Sequence, residues 1–156
     1  QETAHARSKP FRIEAYDVAH ISGEYTVGAM TVVKDGYAKK SDYRKFKIRV
    51  DPDHSNDTLH LEEVLRRRFS HAQWSSPDLL VIDGGIAQKR RAQIVLRKLG
   101  KNIPVVSVVK NEYHKPKAIL GSKELAISYE RSILIANAEA HRFAIGYHRQ
   151  LRGKLR

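Results

Sequence analysis

The most constraining feature of the sequence is the run 79–82, which is wholly apolar and is followed at once by Asp83-Gly84-Gly85. A strand without a polar face has to be covered on both sides, as the central strands of α/β sheets are. A second apolar strand is predicted over 103–109, and the segment between the two has the apolar spacing of an amphipathic helix. The order strand, helix, strand predicts parallel strands in the interior of a layered domain.

The first third of the chain has the pattern of antiparallel strands. Apolar and polar residues alternate over 11–17, and β-branched residues are frequent over 25–33. A Lys-Asp-Gly turn signal then leads into 37–48, which completes three successive antiparallel strands. Helical spacing predicts an arginine-rich helix over 59–69 and a long closing helix over 130–152. Together these elements predict an α/β or α+β mixed sheet with helices packed on its faces.

Two segments lack a periodic pattern. Residues 1–10 are polar and end in Pro10, which predicts a flexible linker ahead of one domain over 11–156. The segment 110–124 is basic and contains a proline and a glycine, so an irregular connection is predicted there. The chain opens with glutamine and its only methionine is Met30, within a predicted strand, which indicates a fragment of a longer protein.

The charge balance indicates the kind of partner. The 156 residues include 29 Lys and Arg against 17 Asp and Glu, a formal charge of +12, and the sequence pI is near 10.0. A compact domain of this charge usually neutralises a polyanion, with nucleic acid as the first candidate; an anionic membrane surface or an acidic protein would also fit. No apolar run reaches the roughly 20 residues of a membrane span. The absence of cysteine excludes a disulfide framework and fits the cytoplasm.

Two aspartates follow predicted strands. Asp17 ends the first strand and Asp83 ends the central apolar strand. Adjacent parallel strands can bring such carboxylates together, and the pair then needs a cation or a proton, for which Mg²⁺ or Mn²⁺ suits an all-oxygen site. The alternative is a pair of solvated turn residues. His20 is expected to be a loop residue that orients a neighbour, and Gly84-Gly85 either offers amides to a phosphate or forms an ordinary turn.

A histidine on the closing helix is the third candidate. His141 shares a helix face with Leu134, Ala138 and Ile145, so it is expected to turn toward the sheet. His148 lies further along the same side. Each is either a hydrogen-bonded packing residue or a functional group.

Several familiar catalytic patterns are missing from the sequence. It has no Walker motif, no GxGxxG, no HExxH and no serine nucleophile elbow, so ATPases, dehydrogenases, zincins and serine hydrolases lack their required parts. Basic residues interspersed with tyrosines favour contact with a phosphate backbone, although charge runs are also ordinary solvated faces. The candidate DNA-binding residues are Lys40, Arg44, Arg66, Arg67, Lys89, Arg90 and Arg149.

Six blocks occur in one order along the chain: RIEAYDVAHISGE, KKSDYRKFKI, EEVLRRRF, PDLLVIDGG followed by AQ, KNEYHKPKAIL and AEAHRFAIGYHRQLR. Together they resemble the C-terminal endonuclease domain of UvrC, the incision subunit of bacterial nucleotide excision repair. The resemblance covers the chain from about Arg12 to Lys154. It implies an RNase H-like mixed sheet, with three antiparallel strands followed by parallel strands and helices on both faces.

The resemblance also implies a catalytic set. The family's two aspartates and histidine fall on Asp17, Asp83 and His141, around a divalent Mg²⁺ or Mn²⁺ ion. Because a neutral imidazole stands where a third carboxylate would add negative charge, one ion is expected rather than two. His141 would be a ligand or a general base.

The implied function is the 5′ incision beside a lesion in damaged double-stranded DNA, by a cytoplasmic and monomeric domain without membrane contact. UvrB would bind through segments outside this chain, downstream of UvrA. A nuclease module for the 3′ incision and a helix-hairpin-helix pair would also lie outside it. Two alternatives remain open: a non-catalytic nucleic-acid-binding module on the same scaffold, and another RNase H-like nuclease that acts on RNA hybrids or junctions.

Overall fold

The structure is a computed structural model that describes residues 10–21, 25–49 and 57–154, with side chains over 10–21, 25–49 and 58–146. The predicted linker over 1–10 falls almost entirely outside the described residues and stays a prediction. The strands are β1 (Arg12–His20), β2 (Tyr25–Lys34), β3 (Tyr37–Ala38), β4 (Arg44–Arg49), β5 (Leu79–Asp83), β6 (Val105–Lys110) and β7 (Pro116–Leu120). The α-helices are α1 (Asp57–Phe69), α2 (Ile86–Lys98), α3 (Lys123–Ser128) and α4 (Glu130–Lys154).

In the described part of the chain, the strands form one mixed sheet in the order β3-β2-β1-β5-β6-β7, and β4 pairs with β2. Strand β1 is antiparallel to β2 and parallel to β5, and β5 is parallel to β6. The three predicted antiparallel strands and the two predicted parallel strands are therefore confirmed. The same arrangement places β1 in the middle of the sheet, where both of its faces are buried.

Helices cover both faces of the sheet, as predicted. Alternate residues of β1 and β5, such as Tyr16 and Ile82, pack with α1 and α2 on one face. The intervening residues, such as Ala15 and Val81, pack with α4 on the other face. Burial of two separate apolar clusters fixes the register, because a slip of one residue would exchange the faces.

A buried group of charges lies beneath the end of α1. Glu14 of β1 is fully buried and accepts two hydrogen bonds from the Arg68 guanidinium, each of 2.8 Å. It also accepts hydrogen bonds from the Tyr16 hydroxyl at 2.6 Å and from Arg12 Nε at 2.9 Å. The buried Glu14 carboxylate thus has its hydrogen-bond partners inside the protein, and its contact with Arg68 links the central strand to α1.

The segment 110–124 differs from the prediction of an irregular connection. It contains the edge strand β7, which is antiparallel to β6, and the short helix α3. Its proline, Pro116, is the first residue of that edge strand, a position where a missing N–H disrupts little. Ile119 packs on the apolar core, which favours a strand over an irregular connection here. No helix within the described residues is long and apolar enough to cross a membrane.

The variant Arg68→Met is expected to lower the free energy of unfolding by about 3–5 kcal/mol, because it leaves the Glu14 carboxylate buried without its bidentate partner. The matched control is Arg66→Met on the same helix, because the Arg66 side chain is 60% exposed and pairs with Glu62. That change should cost less than about 1 kcal/mol. Urea denaturation measures both; equal losses would contradict the role assigned to Arg68.

Candidate active site

The register of two parallel strands brings the predicted aspartates together. Tyr16 of β1 pairs with Ile82 of β5, and each is followed by an aspartate. Since side chains alternate, Asp17 and Asp83 both point to the face that α4 covers. Asp17 is 8% exposed, and both residues line one cleft. The prediction that adjacent parallel strands bring these carboxylates close is confirmed.

Helix α4 meets the two aspartates with residues one turn apart. His141 Nδ1 lies 3.1 Å from Asp17 Oδ2, and Asn137 Nδ2 donates to Asp83 Oδ1 at 3.1 Å. Residues at i and i+4 share one face of a helix, so a single helix face contacts both strands. Thr31 of β2 fixes this helix by donating from its hydroxyl to the Ala136 carbonyl oxygen at 2.9 Å.

A lysine contacts the same carboxylate as the asparagine. The ammonium of Lys110, at the end of β6, donates to Asp83 Oδ1. Side chains alternate along a strand, so Lys110 lies on the same face of β6 as Val106 and Val108, which pack toward α4. Three strands and one helix therefore supply the charged groups of the candidate site.

The Asp17 carboxyl group holds its proton more tightly than an ordinary aspartate. Burial and the nearby negative charge of Asp83 raise its pKa from 3.8 to about 6, and the hydrogen bond with His141 and the charge of Lys110 oppose that rise. Repulsion from Asp83 shows that the two carboxylates interact across the strands. The pair is thus short of positive charge.

The glycine turn after Asp83 is an ordinary turn rather than a set of free amides. The Gly84 N–H donates to the Val108 carbonyl oxygen at 3.1 Å, and the Gly85 N–H donates to Gln88 Oε1 at 3.2 Å. Gly84 has a φ of +133°, which L side chains rarely adopt. The turn requires glycine for its backbone, and both amides already have acceptors.

His141 turns toward the sheet as predicted, since it contacts Asp17, but one residue of its predicted helix face is exposed. Ala138 is exposed, and the His141 side chain is 56% exposed at the rim of the sheet although it contacts Asp17. Small residues let α4 approach the sheet closely, and they define a different buried stripe beside the histidine. That stripe consists of Ile133, Ala136, Ala140 and Ala144.

The other predicted residues lie apart from this cluster. His20 is the last residue of β1 rather than a loop residue, and its Nδ1 is 3.1 Å from Thr26 Oγ1. The side chain of His148 lies outside the described residues.

The candidate DNA-binding residues are spread over several elements. Arg44 stacks 4.9 Å from the Trp74 ring centre, and Lys40 is exposed in a short 3₁₀ turn before β4. On α1, Arg66 pairs with Glu62, and Arg67 donates to the Lys47 carbonyl oxygen. Lys89 and Arg90 occupy the beginning of α2, next to the cleft residue Gln88. The Arg149 side chain is among those not described.

The sequence does not identify two residues of the candidate site, Asn137 and Lys110. Asn137 is 1% exposed in an otherwise apolar helix face, and its position four residues before His141 is the signal that could have found it. Lys110 begins the segment that the sequence predicts as irregular, so the sequence gives no sign that it lies at the end of a strand beside Asp83. Among the described side chains, no three of His, Cys, Asp or Glu form a group that could hold a metal ion as they stand.

Comparison with known proteins identifies the class. The family model described as the UvrC RNase H endonuclease domain matches residues 1–145, so the fold is RNase H-like, as predicted. UvrABC system protein C of Clostridium beijerinckii is 40% identical over 177 residues, covering 99% of this chain and 28% of that protein. The protein of the same name from Thermotoga petrophila is 38% identical over 149 residues, covering 93% and 26%.

The chain therefore belongs to the UvrC RNase H endonuclease domain family, and it spans about a quarter of the length of these relatives. Among solved structures, endonuclease V of Ciona intestinalis, in complex with a 23mer DNA containing an inosine, has a TM-score of 0.48 at 17% identity. The alignment covers 80% of this chain and 56% of that one. Because this sequence identity and TM-score are low, the family assignment rests on the sequence matches alone.

The variant Asp17→Asn is expected to stabilise the metal-free protein at neutral pH. Because the folded pKa is raised, ionisation of Asp17 destabilises the fold as pH rises from about 4 to about 6, and the whole penalty persists above that range. Two pKa units correspond to about 3 kcal/mol. Urea unfolding in EDTA should show the variant more stable than wild type by up to that amount at pH 7.5, and equal to it near pH 4.

The control for this titration is Asp35→Asn at the exposed turn after β2. Its difference from wild type should stay within about 0.5 kcal/mol at both pH values. A stability difference for Asp17→Asn that does not change with pH would contradict the raised pKa of Asp17 and with it the burial and the nearby negative charge that cause it.

Proposed function

We propose that this chain is a divalent-metal-dependent endodeoxyribonuclease domain that makes the 5′ incision beside a lesion in nucleotide excision repair. The observation that carries the proposal is the contact of one helix with two repelling carboxylates, through His141 on Asp17 and Asn137 on Asp83. Membership of an endonuclease domain family supports the same reaction class.

The chemistry of the donor side chains, as distinct from their present arrangement, suits one hard divalent cation. Asp17 and Asp83 repel each other, and an ammonium already contacts Asp83. Carboxylate oxygens suit Mg²⁺ and Mn²⁺, and an imidazole adds a nitrogen donor without further negative charge. Asp17, Asp83 and His141 would hold the ion. When bound, it would polarise the scissile phosphate and lower the pKa of an attacking water.

His141 has a second role open to it. In the tautomer that donates its Nδ1–H to Asp17, the imidazole keeps the Nε2 lone pair free to accept a proton, so His141 would act as a general base instead of a ligand. Asp17 then orients the ring in the way that a carboxylate orients a catalytic histidine. Asn137 holds Asp83 in one orientation through its amide.

We place the DNA backbone along the basic surface of β4 and the neighbouring helices. Lys45 lies in one cross-strand row with Ala29 and Asp17, and its ammonium is 4.4 Å from the Phe143 ring centre. Arg44 on Trp74 is a second cation held by an aromatic ring, on the opposite face of β4. Such groups grip phosphates without reading sequence.

The partners that we propose for this domain are the other components of the excision system. Since the curated relatives are named as components of the UvrABC system, we propose that UvrB loads the lesion-containing duplex after UvrA has acted. UvrB would bind through segments outside this chain. We propose that the domain works as a cytoplasmic monomer.

The variants Asp17→Ala, Asp83→Ala and His141→Ala should each lower the 5′ incision rate by about 100-fold or more, because each removes a group that holds the ion or moves a proton. His141→Ala should leave the melting temperature nearly unchanged, since a half-exposed ring leaves no cavity. The measurement is single-turnover cleavage of a lesion-containing duplex with Mn²⁺, using the chain alone and the complete excision system.

Asp35→Ala serves as the control, because it removes an exposed carboxylate away from the cleft. More than about a tenth of the wild-type rate in either aspartate variant would contradict the assignment. DNA binding without any cleavage in the complete system would favour a non-catalytic module. Cleavage of an RNA–DNA hybrid in preference to damaged duplex would favour another RNase H-like nuclease.

Charge reversal on α2 tests where DNA binds. Lys89→Glu, at the end of the helix beside the cleft, should weaken binding of undamaged duplexes of any sequence and reduce the slope of log affinity against log salt by about one. Lys98→Glu, at the opposite end of the same 13-residue helix, makes the same charge change away from the cleft and should have little effect. Fluorescence anisotropy at several salt concentrations measures both, and equal effects would reject this position for the backbone.

A further inference from the structure

Lys110 is a partly buried lysine whose ammonium contacts Asp83 at the candidate site. It is the last residue of β6, and the turn that follows is closed by hydrogen bonds of the Asn111 side chain to the Tyr113 and Lys115 amides, at 2.8 and 3.1 Å. The Lys110 and Asp83 side chains are only 21% and 23% exposed. A lysine with this backbone and burial differs from an ordinary surface lysine, whose ammonium is free to move in water.

The position of its ammonium is that of a counter-cation. It contacts Asp83 directly, and its charge also favours the ionised form of Asp17. Asp83 Oδ1 accepts from both Lys110 and Asn137, so the oxygen that faces the site is already engaged. A divalent ion that binds Asp83 through this oxygen has to replace the ammonium.

We propose that Lys110 is the resident counter-cation of the carboxylate pair: in the metal-free protein it holds the place of the divalent ion at Asp83, and it leaves when the ion binds. This rests on the proposed metal centre. Two positive charges within a few ångströms repel strongly at a partly buried site. The ion concentration that loads half of the sites is therefore set by Lys110 as well as by the acidic ligands.

The test is a titration of the metal-free protein with Mn²⁺, in which the electron paramagnetic resonance signal counts the free ion. Lys110→Gln should bind Mn²⁺ about tenfold or more tightly than wild type, because the competing charge is gone. Lys110→Arg keeps the charge and should stay close to wild type. A thermal melt in EDTA checks that each variant is folded.

The matched control is Lys117→Gln, on the exposed edge strand β7. It removes the same charge without a contact to Asp83, and salt screens its longer-range effect to within about twofold. Equal Mn²⁺ affinities for Lys110→Gln and Lys117→Gln, in a protein that does bind the ion, would overturn the competition and leave the metal centre intact.

Asp83→Asn separates the two proposals. If wild type binds Mn²⁺ and Asp83→Asn does not, the carboxylate pair holds the ion and the lysine variants decide the competition. If neither wild type nor Lys110→Gln binds Mn²⁺, the metal centre itself is wrong, and the role of Lys110 falls with it. Binding by Lys110→Gln at concentrations where wild type stays empty would be the strongest support.

Discussion

The parallel pairing of β1 with β5 determines the position of the two carboxylates around which the candidate site is built. It places Asp17 and Asp83 one residue beyond a paired Tyr16 and Ile82, on the same face of the sheet. Since two buried apolar clusters hold this register, the repulsion between the carboxylates cannot be relieved by sliding the strands. The protein has to relieve it chemically, by a proton, a cation or hydrogen bonds.

Two buried carboxylates on opposite faces of β1 have their charges balanced by different partners. Glu14 is neutralised permanently by Arg68 and Arg12 on the face beneath α1. Asp17, three residues later on the opposite face, has a histidine and a neighbouring carboxylate instead, so its charge is incompletely compensated. The first arrangement is structural and rigid. The arrangement around Asp17 leaves room for a positively charged ligand. The basic residues of this chain also offer cations to a phosphate backbone.

The sequence predicted the sheet well because its strands differ clearly in hydrophobic pattern. The wholly apolar run 79–82 identified a central strand, and the aspartate directly after it identified one member of the acidic pair. The prediction that Asp17 ends the first strand is wrong, because β1 continues to His20; only its pairing with β5 stops at Tyr16. The site was less complete, because contacts across the fold have no local signal: Asn137 is an ordinary polar residue of a long helix until α4 is seen on β5. Lys110 was hidden because Pro116 suggested a loop. The face predicted for His141 includes one exposed residue, Ala138, because alanines, rather than larger apolar residues, define the buried stripe of α4.

A crystal structure of the Mn²⁺-soaked protein, with an anomalous difference map, would show whether the carboxylate pair binds a metal ion. We expect one strong peak bound by Asp17 and Asp83, with the Lys110 ammonium moved away from Asp83. Peaks only at other places, or an unchanged contact between Lys110 and Asp83 at saturating Mn²⁺, would contradict the proposed metal centre.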